Sequence, residues 1–433
     1  MKKSYYQLYT KLYDDYYLWV NFMNNSHLIL NRELHDLYSK ADDVEDLKRQ
    51  HTQLFDTLEK NGFIINDDFD ELAYIEFEKK RTKFDNSLYH IIVNPTLDCN
   101  LSCWYCYEKK QEKSAINNEV INGIKQNIIT HDTNSPFRTL KLSFFGGEPF
   151  LQFDAIKNIA SFASDFCEKN EKSFILDFTT NGSLIQKSQL EAISQYPCVF
   201  QITLDGNRKQ HNKIKYSKDR QTDNYQLTIN NIKAILDTID NSFVAIRINF
   251  DAHTLSFFDD ILEDIKSLDR KRVKIILKKV WQVNEALIDK DILLDTIQKL
   301  FDQDFIVDYY TQGGVCFAEM LNEVVVNYDG KVFKCTTIDD FSDRNSYGHL
   351  DTETGAIVWN EKITTLGYDL TKDKCKQCKM YPSCLGPCTL HLMNGDETCF
   401  LESLNLSLSE YMMFLYKNEM IRKKCMNNKC MKI

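Results

Sequence analysis

A chain of 433 residues exceeds one ordinary core, so two or three packed units are expected. Scarce glycine (14) and proline (6) beside 43% hydrophobic residues exclude a disordered chain, and a net charge of −10 without a run of basic residues excludes a dedicated nucleic-acid surface. No stretch approaches the roughly eighteen apolar residues of a membrane span, and Met1-Lys2-Lys3 runs into tyrosines and charges rather than a signal-peptide core, so a cytoplasmic protein without membrane association is expected.

In chain order, residues 1–84 read as mainly helical, with apolar positions at Val44, Leu47, Leu54, Leu58 and Phe63 among charged faces. The β-like runs 16–20 and 27–30 flank the turn signal Asn24-Asn25-Ser26, which suggests a small ribbon in a winged-helix-like arrangement. From residue 85 short β-branched or aromatic runs alternate with helical segments. Strands are expected at 88–93, 140–145, 174–179, 199–204, 244–250 and 273–280, giving an α/β fold with a partial, six-stranded parallel barrel over 85–310. Ligands sit at the C-terminal ends of such strands, so the loops holding Cys99, Gly146-Gly147, Asn181-Gly182 and Asp205-Gly206 should carry the chemistry. Residues 311–433 turn rich in cysteines and turns, ending in a helix, and metal ligation is expected to supply part of their folding free energy.

Fourteen cysteines in a reducing compartment favour metal over disulfides. Cys99, Cys103 and Cys106 form a C-x3-C-x2-C array in one loop. Structural zinc and electron-transfer clusters take four protein ligands, so three thiolates suggest a 4Fe-4S cluster with one iron open to a small molecule; a zinc site completed by a distant residue such as His131 is the plainer alternative. With Tyr105 just before its third cysteine, the array resembles the signature of the radical S-adenosylmethionine superfamily. The resemblance implies that the open iron is chelated by the amino and carboxylate groups of the methionine moiety. It also implies that an electron splits the sulfonium to a 5′-deoxyadenosyl radical, and that the backbone at Tyr105 approaches the adenine.

Further motifs match that family at the expected strand ends. In Gly146-Gly147-Glu148-Pro149 the glycines permit close backbone approach to a ligand and Glu148 supplies a partner for an ammonium group. Thr179 and Asn181 in Thr179-Thr180-Asn181-Gly182, and Thr203 and Asp205 in Thr203-Leu204-Asp205-Gly206, resemble positions near the cofactor's ribose and carboxylate. Where relatives carry an arginine some ten residues after the Asp-Gly pair, this chain has Lys215, beyond His211, and loses the bidentate fork. Arg247, a charge inside a buried run, should point to the barrel mouth and pair with the cofactor carboxylate or a structural partner.

Seven later cysteines, Cys316, Cys335, Cys375, Cys378, Cys384, Cys388 and Cys399, resemble the SPASM extension found on peptide- and protein-modifying radical enzymes. That resemblance implies a distal auxiliary 4Fe-4S cluster on Cys375, Cys378, Cys384 and Cys399, and a nearer one on Cys316, Cys335 and Cys388. Cys167 and Cys198 read as packing, and Cys425 and Cys430 as loose thiols. The order of units resembles maturases of ribosomally made peptides. It implies a precursor peptide whose leader pairs with the N-terminal sheet through the 18–20 or 28–30 run, an electron donor such as flavodoxin or ferredoxin, and an oxidative crosslink as product. An anaerobic sulfatase maturase forming formylglycine is the nearest alternative, weakened because Thr336, a poor base, follows Cys335. A non-catalytic iron–sulfur scaffold is the other.

Overall fold

The computed structural model describes residues 1–280, 282, 289–309 and 314–427. The chain divides into two compact units. The larger comprises Phe84–Tyr310, Phe317–Gly367 and Ile421–Ile433; the smaller comprises Met1–Lys83, Thr311–Cys316 and Tyr368–Met420. No helix among the described residues is long and apolar enough to cross a membrane.

In the larger unit the six apolar runs form strands β1 (Leu88–Asn94), β2 (Thr139–Phe144), β3 (Ser173–Thr180), β4 (Cys198–Thr203), β5 (Ser242–Phe250) and β6 (Val273–Lys279). Two further strands flank them, β7 (Ile306–Asp308) on β6 and β8 (Glu323–Asn327) on β1. The eight lie parallel in the order β7-β6-β5-β4-β3-β2-β1-β8, and three short antiparallel strands extend the sheet beyond β8. Parallel strands send every C-terminal end to one edge, which concentrates the motif loops there.

Alternation along each strand separates core from cavity. Phe144, Phe178 and Phe200 are opposite one another in register, fully buried, and stacked at 5.7 and 4.9 Å between ring centroids. The next residues, Phe145, Thr179 and Gln201, therefore point to the other face. Helices cover the apolar face. In Phe153–Lys169, Ala155, Ile156, Ile159, Ala160, Ala163 and Cys167 are buried on one stripe, the spacing of an amphipathic helix packed on a sheet.

The smaller unit holds an antiparallel sheet of Gln7–Tyr13, Tyr16–Asn21 and Ser26–Asn31, followed by helices Arg32–Lys40, Val44–Gln50, Thr52–Lys60 and Glu71–Lys83. Asn31 and Asp43 cap the first two helices by accepting from Leu34 N and Glu45 N. Trp19, Leu30, Tyr38, Val44, Leu47, Phe55 and Leu58 form the core between sheet and helices. The strand Gln7–Tyr13 was not expected from the sequence. It pairs with Tyr16–Asn21, making the latter the central strand, so residues 18–20 have no open edge; the outer strands are Gln7–Tyr13 and Ser26–Asn31.

Within the same unit the cysteine-bearing segment packs on N-terminal residues. Tyr5 Oη donates to Gln377 O (2.7 Å), Ser383 Oγ to Phe22 O (3.1 Å) and Lys79 Nζ to Thr371 Oγ1 (2.7 Å).

Candidate active site

The loop after β1 carries Cys99, Cys103 and Cys106, and all three thiols line one cavity of about 160 Å³ at the C-terminal edge of the sheet. Tyr105, Gly146, Gly147, Thr179, Asn181, Thr203 and Arg247 line it as well. Strand periodicity accounts for much of the wall: Gln201 and Thr203 are two apart on β4, as are Arg247 and Asn249 on β5, and Thr203 lies opposite Arg247. Among the described residues no three His, Cys, Asp or Glu side chains converge as they would on a single ion. Three soft thiols spread around a shared hollow suit an iron–sulfur cluster, whose own sulfides fill the space between ligands.

The double glycine is forced by backbone crowding. A Cβ on Gly146 would lie 2.3 Å from Thr96 O and one on Gly147 2.1 Å from Asp98 O, while Gly147 N donates to Thr96 O (3.1 Å) and Glu148 N to Asp98 O (2.8 Å). The loop after β2 is thus fastened to the residues that lead into Cys99. Burial is the main force on the thiols, pushing Cys99 up to about 12, with the Glu148 carboxylate adding to it.

Two expected ligand contacts stand behind the wall instead. Glu148 is fully buried and does not line the cavity; its Oε1 accepts from Thr180 Oγ1 (2.8 Å) and Phe150 N (3.1 Å) and its Oε2 from Asn181 N (2.9 Å). Asp205 is likewise buried, its Oδ1 accepting from Asn249 N (3.0 Å) and Nδ2 (3.1 Å) and its Oδ2 from the Tyr105 hydroxyl. Both carboxylates face neighbouring loops because those loops supply the donors that a buried anion requires.

Residues 93–228 match the family described as a 4Fe-4S single cluster domain. Across 414 residues the chain is 20% identical to the radical SAM cyclopropyl synthase TigE of Paramaledivibacter caminithermalis, covering 87% of this chain and 83% of that protein. The chain thus carries a 4Fe-4S cluster domain over residues 93–228 and is similar to a radical SAM enzyme along most of its length. The matched domain is one that holds a 4Fe-4S cluster. The fold is shared with anSMEcpe with bound AdoMet, at a TM-score of 0.56 and 17% identity over 79% of this chain and 98% of that one. The same protein with AdoMet and the Cp18Cys peptide gives 0.54.

Several lining residues are not cofactor contacts that the sequence singles out. Lys215 is 4% exposed, and its Nζ hydrogen-bonds Thr203 Oγ1 and lies 3.7 Å from Asp205 Oδ2. Burial alone would lower its pKa, but Asp205 and the thiols of Cys103 and Cys99 raise it above the usual lysine value. Gln282 Nε2 donates to Tyr105 O (2.6 Å), and both residues line the cavity. Glu108, the one carboxylate among the described lining residues, is pushed up to about 7 by burial and faces a wall that also holds Lys110, Lys215, Arg247 and Lys279. Separation in sequence hides Glu108 and Gln282, and only the folded sheet edge brings them to one hollow with Lys215, the residue at the place of the family's arginine.

Outside this core, Cys375, Cys378, Cys384 and Cys399 are electrostatic neighbours in the smaller unit. Cys388 hydrogen-bonds Cys316, which with nearby backbone donors lowers its thiol to about 6. Cys335 belongs to the larger unit, where Thr337 N lies 3.3 Å from its sulfur. His131 is stacked on Tyr89 (3.6 Å) away from the lining residues. Cys167 and Cys198 are buried in the core, and Cys425 is buried on the helix Leu408–Asn427; Cys430 lies outside the described residues.

Proposed function

We propose that this enzyme matures a ribosomally made precursor peptide by installing an oxidative crosslink, in the cytoplasm and with electrons from a carrier such as flavodoxin or ferredoxin. The observation that carries the reading is the three-thiol cavity at the sheet edge together with a second gathering of four thiols in the smaller unit. When bound, the cluster and S-adenosylmethionine supply reductive cleavage to a 5′-deoxyadenosyl radical. Cys99, Cys103 and Cys106 hold the cluster. Thr179, Asn181 and Thr203 offer hydroxyl and amide partners, Gly146 and Gly147 offer backbone, the Tyr105 carbonyl accepts from an exocyclic amine, and Arg247 pairs with a carboxylate. Glu148 and Asp205 hold the loops that present these groups.

Support for a peptide substrate comes from the relatives. anSMEcpe has been seen with a bound peptide, and the name of TigE, a cyclopropyl synthase, supports bond formation as the outcome. In the smaller unit, the outer strands Gln7–Tyr13 and Ser26–Asn31 have backbone groups available to an added leader strand. Within the smaller unit, Cys375, Cys378, Cys384 and Cys399 are assigned to one auxiliary cluster, and the hydrogen-bonded pair Cys316 and Cys388 to another. A formylglycine-forming reading finds no base at Thr336, whose carbonyl accepts from the Tyr107 hydroxyl (3.3 Å).

The test is anaerobic incubation of the reduced, iron-loaded enzyme with S-adenosylmethionine and a co-expressed candidate peptide. Formation of 5′-deoxyadenosine with loss of two hydrogens from the peptide is expected, and Cys99→Ala, Cys103→Ala or Cys106→Ala should abolish both. Cleavage of the cofactor by those variants would overturn the ligand assignment.

A further inference from the structure

We infer that Asp205 is a positioning residue that clamps the cysteine loop through Tyr105 and Lys215, and that cofactor affinity depends on this clamp rather than on a contact with Asp205 itself. The inference rests on the radical S-adenosylmethionine reading and concerns how the cavity keeps its shape.

Four groups converge on a carboxylate with no exposed surface. Asn249 holds Oδ1 through both its backbone N–H and its side-chain amide, while Oδ2 takes the Tyr105 hydroxyl and faces the Lys215 ammonium. Asn249 Nδ2 also reaches the Tyr105 hydroxyl at 3.3 Å, so the phenol is held by two partners. Behind the carboxylate, Asp205 N donates to His211 Nδ1 (3.1 Å), which fixes the backbone at the end of β4.

The second arm of the clamp is backbone pairing. Leu101–Cys103 and Lys215–Ser217 form a two-stranded antiparallel ribbon in which Cys103 is opposite Lys215. The chain therefore closes a ring: Asp205 grips Tyr105, Tyr105 lies two residues from Cys103, Cys103 is paired with Lys215, and Lys215 returns its ammonium to Asp205. Within this ring the segment 103–106 is held through the Tyr105 side chain by the carboxylate and through the Cys103 backbone by its pairing with Lys215. Two thiols and the carbonyl of Tyr105, all lining the cavity, lie on that segment. A carboxylate that already accepts three protein hydrogen bonds, faces an ammonium at 3.7 Å and is absent from the cavity wall is placed to set geometry, not to bind.

The experiment is a double-mutant cycle on the iron-loaded, full-length protein, reading the dissociation constant for S-adenosylmethionine and the change it causes in the electron paramagnetic resonance of the reduced cluster. Tyr105→Phe deletes one hydroxyl and should weaken binding at least about fivefold with an altered resonance, while iron content and melting temperature stay unchanged. Asp205→Asn should weaken it as much or more, and the double variant should bind no worse than Asp205→Asn alone.

Additive losses would show that Asp205 acts on the cofactor independently of Tyr105 and would overturn the inference; so would unaltered binding by Tyr105→Phe. If Asp205→Asn does not retain iron, Tyr105→Phe alone decides. A wild-type protein whose resonance ignores S-adenosylmethionine would overturn the site assignment as a whole, and the clamp with it.

Discussion

Replacing Glu148 with alanine would leave Thr180 Oγ1, Asn181 N and Phe150 N without their acceptor in a site closed to water. Orphaned buried donors of this kind cost about 1–3 kcal/mol each before relaxation, and a total near 3 kcal/mol is expected for Glu148→Ala. Denaturant unfolding should show it, with iron uptake falling in parallel because the β2 loop also holds the lead into Cys99. Full stability with lost cofactor binding would instead mean that the carboxylate acts on the ligand. The Gly-Gly-Glu motif was legible as a site marker, but not the direction of its carboxylate. That direction is fixed by donors at residues 180 and 181, a strand away, which no local pattern around residue 148 encodes.

Between elements, His90 on β1 joins Glu323 on β8 and Ser143 on β2, with Nδ1 2.8 Å from Glu323 Oε2 and Nε2 2.7 Å from Ser143 Oγ. The trio has the order of a hydrolase relay, yet all three are buried and none lines the cavity, so its work is to tie three neighbouring strands. His90→Leu strands a buried carboxylate and should cost about 3 kcal/mol, visible as a lower melting temperature; His90→Leu with Glu323→Leu should recover part of the loss. Strands β1 to β6 were readable because buried parallel strands are continuous apolar runs. Strand β8, Glu-Val-Val-Val-Asn, sits among turns and cysteines, and its partner is β1, more than two hundred residues earlier, so only the folded sheet defines it. Gln7–Tyr13 escaped because its Lys11 and tyrosines do not read as a buried face.

Also at this scale, His131 on the helix Asn118–Asn134 stacks on Tyr89 of β1 with Nε2 buried and unpartnered, and burial pushes its pKa down to about 4 from 6.5. The unfolded chain therefore binds a proton that the folded one refuses, so this group's contribution to stability falls as pH drops below about 6.5. A melting temperature that declines between pH 7.5 and 5.5, and declines less in His131→Phe, is expected; identical slopes would remove the histidine from the account.

For the molecule as a whole, spacing sets ten cysteines apart from the other four, whereas the way chain segments share units is not legible in the sequence. Residues 368–420 pack with 1–83 because Tyr5, Phe22, Lys79 and Glu76 supply partners for Gln377, Ser383, Thr371 and Tyr381. Removing residues 1–84 would therefore strip the support of the distal thiols and confound any test of leader binding. Substitution inside the thiol group separates the roles more cleanly. Cys384→Ala leaves the larger unit's cavity intact, so 5′-deoxyadenosine should still form at a measurable rate while peptide crosslinking stops and iron content falls. If crosslinked peptide still accumulates at the wild-type rate, the four thiols serve folding alone. If cofactor cleavage disappears too, the two units are not independent in function, and the distal site acts on the first step as well as the last.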